Sequence, residues 1–137
     1  MNYLKKIILL LITLIFFACN SAVKQAEILT INFYSNCMRK NFQAIIPYLD
    51  KEMLKTVPAD KWLNTLKKLQ QERGDINKFN IVKIKTYMDS KGYRIIEITT
   101  NVFYEKQNFY ETLFFIKRQK DLPYHIIKYE YVSEIKK

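Results

Sequence analysis

Tyr93-Arg94-Ile95-Ile96-Glu97-Ile98-Thr99-Thr100-Asn101-Val102-Phe103-Tyr104, then Glu105-Lys106-Gln107-Asn108, then Phe109-Tyr110-Glu111-Thr112-Leu113-Phe114-Phe115-Ile116-Lys117-Arg118, is the stretch on which the fold turns. Its two outer runs are dense in β-branched and aromatic residues, which pack well on a pleated surface. The polar tetrad between them has the composition of a hairpin loop. A hairpin this long and apolar does not stand alone in water, so other segments must cover at least one face. In the first run Ile96, Ile98, Thr100, Val102 and Tyr104 share the more apolar face, which is expected to meet that cover.

The period of two extends to either side. Phe79 to Met88 alternates loosely, and Asp89-Ser90-Lys91-Gly92 is a turn into the hairpin. Asp121-Leu122-Pro123 breaks the chain before a last strand from Tyr124 to about Ser133. Upstream the period is helical. Between Ser21 and Lys40, Ala22, Ala26, Leu29, Phe33, Tyr34, Cys37 and Met38 fall on one side of a helical wheel, opposite Lys24, Gln25, Asn32, Ser35 and Asn36. Phe42 to Leu49 reads as a short helix disturbed by Pro47, and Asp50 as the cap of a further turn holding Met53 and Leu54. Pro58 fits the start of a third helix, with Trp62, Leu63, Leu66 and Leu69 on one face and Gly74 as its stop. Helices followed by a four-stranded meander predict an α+β fold, the helices laid on one face of a curved antiparallel sheet.

The N-terminus reads as an address. Lys5 and Lys6 precede an uncharged apolar run from Ile7 to Ala18, well short of the roughly twenty residues a spanning helix needs. The organisation expected is a signal peptide over residues 1–18 and one domain over residues 19–137. The run closes on Phe17-Ala18-Cys19-Asn20, which resembles the lipobox of bacterial lipoproteins, with Phe16 and Phe17 where that family more often has Leu and a small residue. The resemblance implies cleavage between Ala18 and Cys19 and lipid attachment at Cys19. A second long acyl chain converts marginal membrane binding into firm anchoring. By the family's usual sorting rule, Asn20 implies transfer to an outer membrane. The expected location is thus a bacterial envelope, on the periplasmic side or the cell surface, with the membrane itself as the first partner.

Cys37 is then left alone, without a disulfide framework, at the middle of an apolar helical arc where burial is expected. The formal charge is +10, yet only Arg39, Arg73, Arg94 and Arg118 of the 23 basic residues are arginine. The charge is spread evenly and no nucleic-acid signature accompanies it, so a solvated surface is the expectation, a modest affinity for anionic headgroups near the anchor is the next reading, and nucleic acid is not a predicted partner. His125, the single histidine, has no ligand-spaced companions, so neither a metal nor a cofactor is expected.

Order and length, with Ala26, Phe33-Tyr34, Asn41-Phe42, Ile45-Ile46, Trp62, Gly74 and Tyr124-His125-Ile126-Ile127, resemble the small cone-shaped domains related to nuclear transport factor 2, uncharacterised bacterial lipoproteins among them. A cystatin-like sheet wrapped on one helix is the rival resemblance. Some members of the first superfamily are isomerases or dehydratases, with an acid or His inside the cone beside Tyr hydroxyls. Here neither Glu97 nor Glu111 is clearly interior by pattern, and no catalytic residue is assigned. Tyr87, Tyr93, Tyr104, Tyr110, Tyr124, Tyr129 and Tyr131 crowd the strand region, where Tyr serves either a half-exposed sheet or a contact surface. Both faces of the hairpin carry large apolar residues, so the face away from the helices is either one of ordinary scattered exposure or an apolar patch that a second copy, a protein partner or the lipid surface covers. The reading is a lipid-anchored, non-catalytic binding domain acting by the sheet face or the cone mouth. The alternatives are a cone-cavity enzyme on a small lipophilic substrate and a self-protection lipoprotein.

Overall fold

The computed structural model describes residues 21–120 and 122–131. Ala18 and Cys19, the predicted cleavage and lipidation residues, lie outside them. The chain opens with a helix, α1, over residues 21–38. A 3-10 helix follows at Phe42–Tyr48, then α2 at Lys51–Thr56 and α3 at Ala59–Arg73. Four strands complete the order: β1 at Ile76–Met88, β2 at Arg94–Tyr104, β3 at Asn108–Ile116 and β4 at His125–Tyr131. They pair antiparallel in the sequential order β1-β2-β3-β4, with the helices against one face. This is the α+β class expected from the pattern.

α1 buries Ala22, Ala26, Phe33, Tyr34 and Cys37 on the sheet. Two polar residues join that stripe, Thr30 and Asn36. Each side chain bonds back one helical turn, Thr30 Oγ1 to Ala26 O at 2.9 Å and Asn36 Nδ2 to Asn32 O at 2.8 Å. Asn36 therefore lies on the inward face rather than the outward one, and Met38 at the last turn is 37% exposed rather than buried. The helix ends on a left-handed Lys40 (φ 57°), with Asn41 N–H donating to Asn36 O and Lys40 N–H to Cys37 O. That bond pair is the Schellman reversal, which more often has glycine at the left-handed position.

Pro47 holds the next segment to 3-10 geometry instead of a regular helix. Asp50 then caps α2 by accepting from Met53 N–H at 2.9 Å, as predicted. α3 begins after Pro58 and stops at Gly74 (φ 86°). Its C-terminus is tied to the β2–β3 turn: Glu105 N–H donates to Asp75 O, Lys106 N–H to Arg73 O, and Glu105 Oε2 accepts from Asp75 N–H at 3.0 Å.

β1 starts earlier than its alternation suggests, at Ile76, because two register shifts interrupt it, between Ile76 and Lys78 and between Ile81 and Lys83. An extra residue resets which side chains point inward, so the partly buried Phe79, Ile81 and Ile84 do not keep strict alternation. Such bulges also bend a long strand. On β2, Ile96, Ile98, Thr100 and Val102 have no exposed surface and Tyr104 is buried, all facing the helices as expected. The outer face carries a second, smaller cluster of Ile95, Phe114 and Ile116, packed with Tyr93 and Ile127. The Lys128 ammonium lies 4.9 Å from the centre of the Phe114 ring and covers part of it. The apolar residues of the outer face thus bury one another to a large extent.

Candidate functional site

β3 turns Phe109, Glu111, Leu113 and Phe115 inward, all four buried and opposite Val102, Thr100, Ile98 and Ile96 of β2. Glu111 is accordingly a core residue with no exposed surface. The alternation that left it ambiguous is ambiguous because both faces of β3 are apolar, while its inward company is visible in the register.

A buried carboxylate needs partners, and the fold brings one from each surrounding element. Arg73 at the end of α3 donates Nη1–H to Glu111 Oε1 at 2.8 Å. Tyr104 of β2 donates its hydroxyl to the same oxygen at 2.7 Å, and Tyr34 of α1 donates to Oε2 at 3.0 Å. Tyr129 of β4 stands beside them, within electrostatic reach of the same carboxylate. Three donors thus occupy three of the roughly four lone-pair sites of one carboxylate. The Arg73 guanidinium, itself 5% exposed on its side chain, stacks 3.7 Å from the centre of the Phe109 ring.

Burial pushes the Glu111 carboxyl above its ordinary pKa, against the opposing pull of Tyr104, Tyr129, Arg73 and Tyr34. The phenols of Tyr34, Tyr104 and Tyr129 are pushed upward by burial and by the Glu111 charge, so they remain donors. Cys37 is buried, and burial raises its thiol well above the range in which a reactive thiolate forms. The cluster ties α1, α3 and three strands together. With donors on both oxygens and no exposed surface, Glu111 is tied into the core.

A second pair does similar work at the edge. Arg118 grips Asp50 with Nε–H to Oδ1 at 2.8 Å and Nη2–H to Oδ2 at 2.9 Å, the bidentate geometry of a strong ion pair. Asp50 N–H also donates to Ile126 O, and Leu49 bridges Ile126 in parallel, so this loop covers the start of the β4 edge.

Past that cover, β4 and the helices leave an open groove of about 270 Å³. Its walls are Met53 and Val57 on the α2 side, Trp62 and Thr65 on α3, and Tyr129 and Tyr131 on β4. Trp62 donates its indole N–H to Met53 Sδ at 3.0 Å, and its ring lies 6.4 Å from that of Tyr129. Tyr129 reaches from this groove to the Glu111 cluster, so the interior and the mouth share one side chain.

The other residues singled out by pattern are dispersed. His125 opens β4 half-buried, and Glu97 sits half-buried on the outer face, 3.7 Å from the Lys85 ammonium. Of the strand tyrosines, Tyr104 and Tyr124 are buried, whereas Tyr87, Tyr110 and Tyr131 are exposed. Among the described residues, no group of three His, Cys, Asp or Glu is placed to hold a metal ion. Nor is any described helix long and apolar enough to cross a membrane. Arg73, Asp50 and Arg118 were not identifiable as partners beforehand, since each pairing joins positions far apart in the chain. No protein-family profile matches the chain, and no curated protein matches it in sequence.

Proposed function

We propose that this chain is a lipid-anchored domain of a bacterial envelope, held through Cys19, which binds a small apolar ligand or an apolar segment of a protein partner without chemistry. The observation that supports binding is the open groove lined by Trp62, Tyr129, Tyr131, Met53 and Val57, in which the exposed Tyr131 stands beside the half-buried Tyr129 and the buried Trp62. Such a concave apolar surface with a few polar groups in its lining, here Lys61, Thr65 and Lys128, suits an amphiphilic ligand. The helix-then-meander order supports the resemblance to the cone-shaped domains related to nuclear transport factor 2. The outer sheet face, where Tyr110 is 59% exposed, is the second surface offered to a protein partner or another copy.

Two measurements test the proposal. A palmitate analogue is expected to label the wild type and not Cys19→Ser; equal labelling of both ends the anchor reading. Trp62 is the single tryptophan, so its emission reports on the groove directly. Titration with laurate is expected to shift that emission saturably, and Thr65→Phe, which fills the groove, is expected to abolish the shift. An emission indifferent to laurate and to apolar peptides overturns groove binding.

The cone-cavity enzyme has one specific observation in its favour, a buried acid beside three tyrosines. Donors on both carboxylate oxygens and the Arg73 counter-charge weigh against it. That reading requires Glu111→Gln to abolish a turnover that groove-filling substitutions merely slow.

A further inference from the structure

The two ends of the sheet differ in chemistry. The β2–β3 turn lies at one end, with the C-terminus of α3. The β1–β2 turn, the β3–β4 loop and the start of α1 meet at the other, where Ser21, Gln25, Gly92, Arg94, Lys117 and Tyr124 line an open concavity of about 580 Å³. This second end gathers cations from the β1–β2 turn with the first residue of β2 and from the β3–β4 loop. Arg94 and Lys120 are exposed, Lys117 is half-buried beside the Tyr124 ring, and Lys91 is exposed in the turn. Two carboxylates near this end are engaged within the fold. Asp89 accepts from the backbone N–H groups of Lys91 and Tyr93, and Asp50 is held by Arg118. Asp121 lies outside the described residues. Around the cations stand large apolar side chains in solvent: Met88 is 61% exposed, and Tyr87 and Leu122 are each 43% exposed.

Chain geometry says what this end faces. Ser21 lines the concavity, and only Asn20 separates it from Cys19. Whatever its conformation, that link spans at most about 7 Å. A lipid on Cys19 therefore holds this end, and not the far one, at the headgroups. We infer that it is a docking surface for anionic phospholipids, with Arg94, Lys117 and Lys120 over the phosphates and Met88 and Leu122 in the interfacial layer. The inference rests on the anchor reading for its geometry, while its charge and apolar rim are independent of that reading. Each cation near an anionic surface contributes about fivefold in partition, and the acyl chains and the basic surface act as cooperating signals. The docked domain presents the far end and the flanking groove away from the bilayer.

The test uses the full-length protein extracted from its own membranes and returned to vesicles of phosphatidylcholine, with or without phosphatidylglycerol. A bimane is placed on Met88→Cys at the proposed docking end, or on Gln107→Cys in the β2–β3 turn, and nitroxide-labelled lipid serves as quencher. With phosphatidylglycerol, quenching at position 88 is expected to exceed that at 107 several-fold. The excess is expected to fall at least about threefold in R94Q/K117Q/K120Q or at high salt, which screens exposed charge. Unchanged Trp62 emission and far-ultraviolet dichroism verify that the variant is folded. Equal quenching at the two positions overturns the inference, as does an excess at 88 that ignores lipid charge and survives the triple substitution. Acyl mass on Cys19, read from the same preparation, separates the two ideas. An acylated protein without the contrast loses the docking surface and keeps the anchor; an unacylated one with the contrast keeps the docking surface alone.

Discussion

Glu111 sits among Phe109, Leu113 and Phe115 with its charge fully inside, and everything about its energetics follows from Arg73 and three tyrosines being there too. Breaking a buried pair from one side strands a charge, at a cost of about 3–5 kcal/mol. Arg73→Met is expected to lose that much in urea unfolding at pH 7. The sign of its pH dependence is set by the carboxyl. Its folded pKa is already raised by burial, and removing the guanidinium raises it further. A raised folded value means that protonation favours the native state, so Arg73→Met should regain stability from pH 7 to pH 5. Adding Glu111→Gln, which keeps an acceptor for the tyrosines, should give a double variant more stable at pH 7 than Arg73→Met alone. Asp50 has the opposite sign. Burial pushes its carboxyl up, but Arg118 and the Met53 N–H pull it below the usual value. That stability is present above the unfolded pKa of about 3.9 and is lost as pH falls through the folded one. Asp50→Asn should therefore be less stable than wild type at pH 7 by about 1–2 kcal/mol, with the gap closing below pH 4.

The ends of α1 and α3 make their own predictions. Lys40 adopts the left-handed conformation that costs an L-residue about 1–2 kcal/mol and glycine almost nothing. Part of that is offset by the greater freedom of glycine in the unfolded chain. Lys40→Gly is thus expected to raise the free energy of unfolding, measured in urea, by about 0.5 kcal/mol, and loss of its exposed pair with Asp75 matters little. Gly74 is the reverse case. A methyl group there meets Glu105 Oε2 at 2.5 Å and Glu105 Cβ at 2.7 Å, at a φ of +86°. Gly74→Ala should cost about 1–3 kcal/mol in denaturant unfolding and loosen the β2–β3 turn, visible as faster amide exchange at Glu105 and Lys106. Element types were legible because their signals are local: Pro58 and Gly74 bracket α3, Asp50 precedes α2, and the period shortens after Gly74. The 3-10 geometry at Pro47 and the bulges of β1 were not, since a bulge leaves in sequence only a slightly disordered alternation.

For the molecule as a whole, the small cluster of Ile95, Phe114 and Ile116 behaves as a second core on the outer sheet face. Phe114→Ala is expected to cost about 3 kcal/mol, as a core truncation does, rather than the few tenths of an exposed site.

The order of elements, the inward face of β2, the stops and caps of the helices and the basic, arginine-poor surface could all be read from residue type and spacing. These properties depend on neighbours within a turn or a strand. Which charge pairs with which could not. Tyr34, Arg73, Tyr104, Glu111 and Tyr129 come from five separate elements, and a carboxylate enters the core only when the fold delivers enough donors to repay its lost hydration. The groove beside Trp62 and the cationic end beside Ser21 are likewise products of the tertiary structure, since concavity and convergence belong to distances across the sheet and leave no periodicity in the chain.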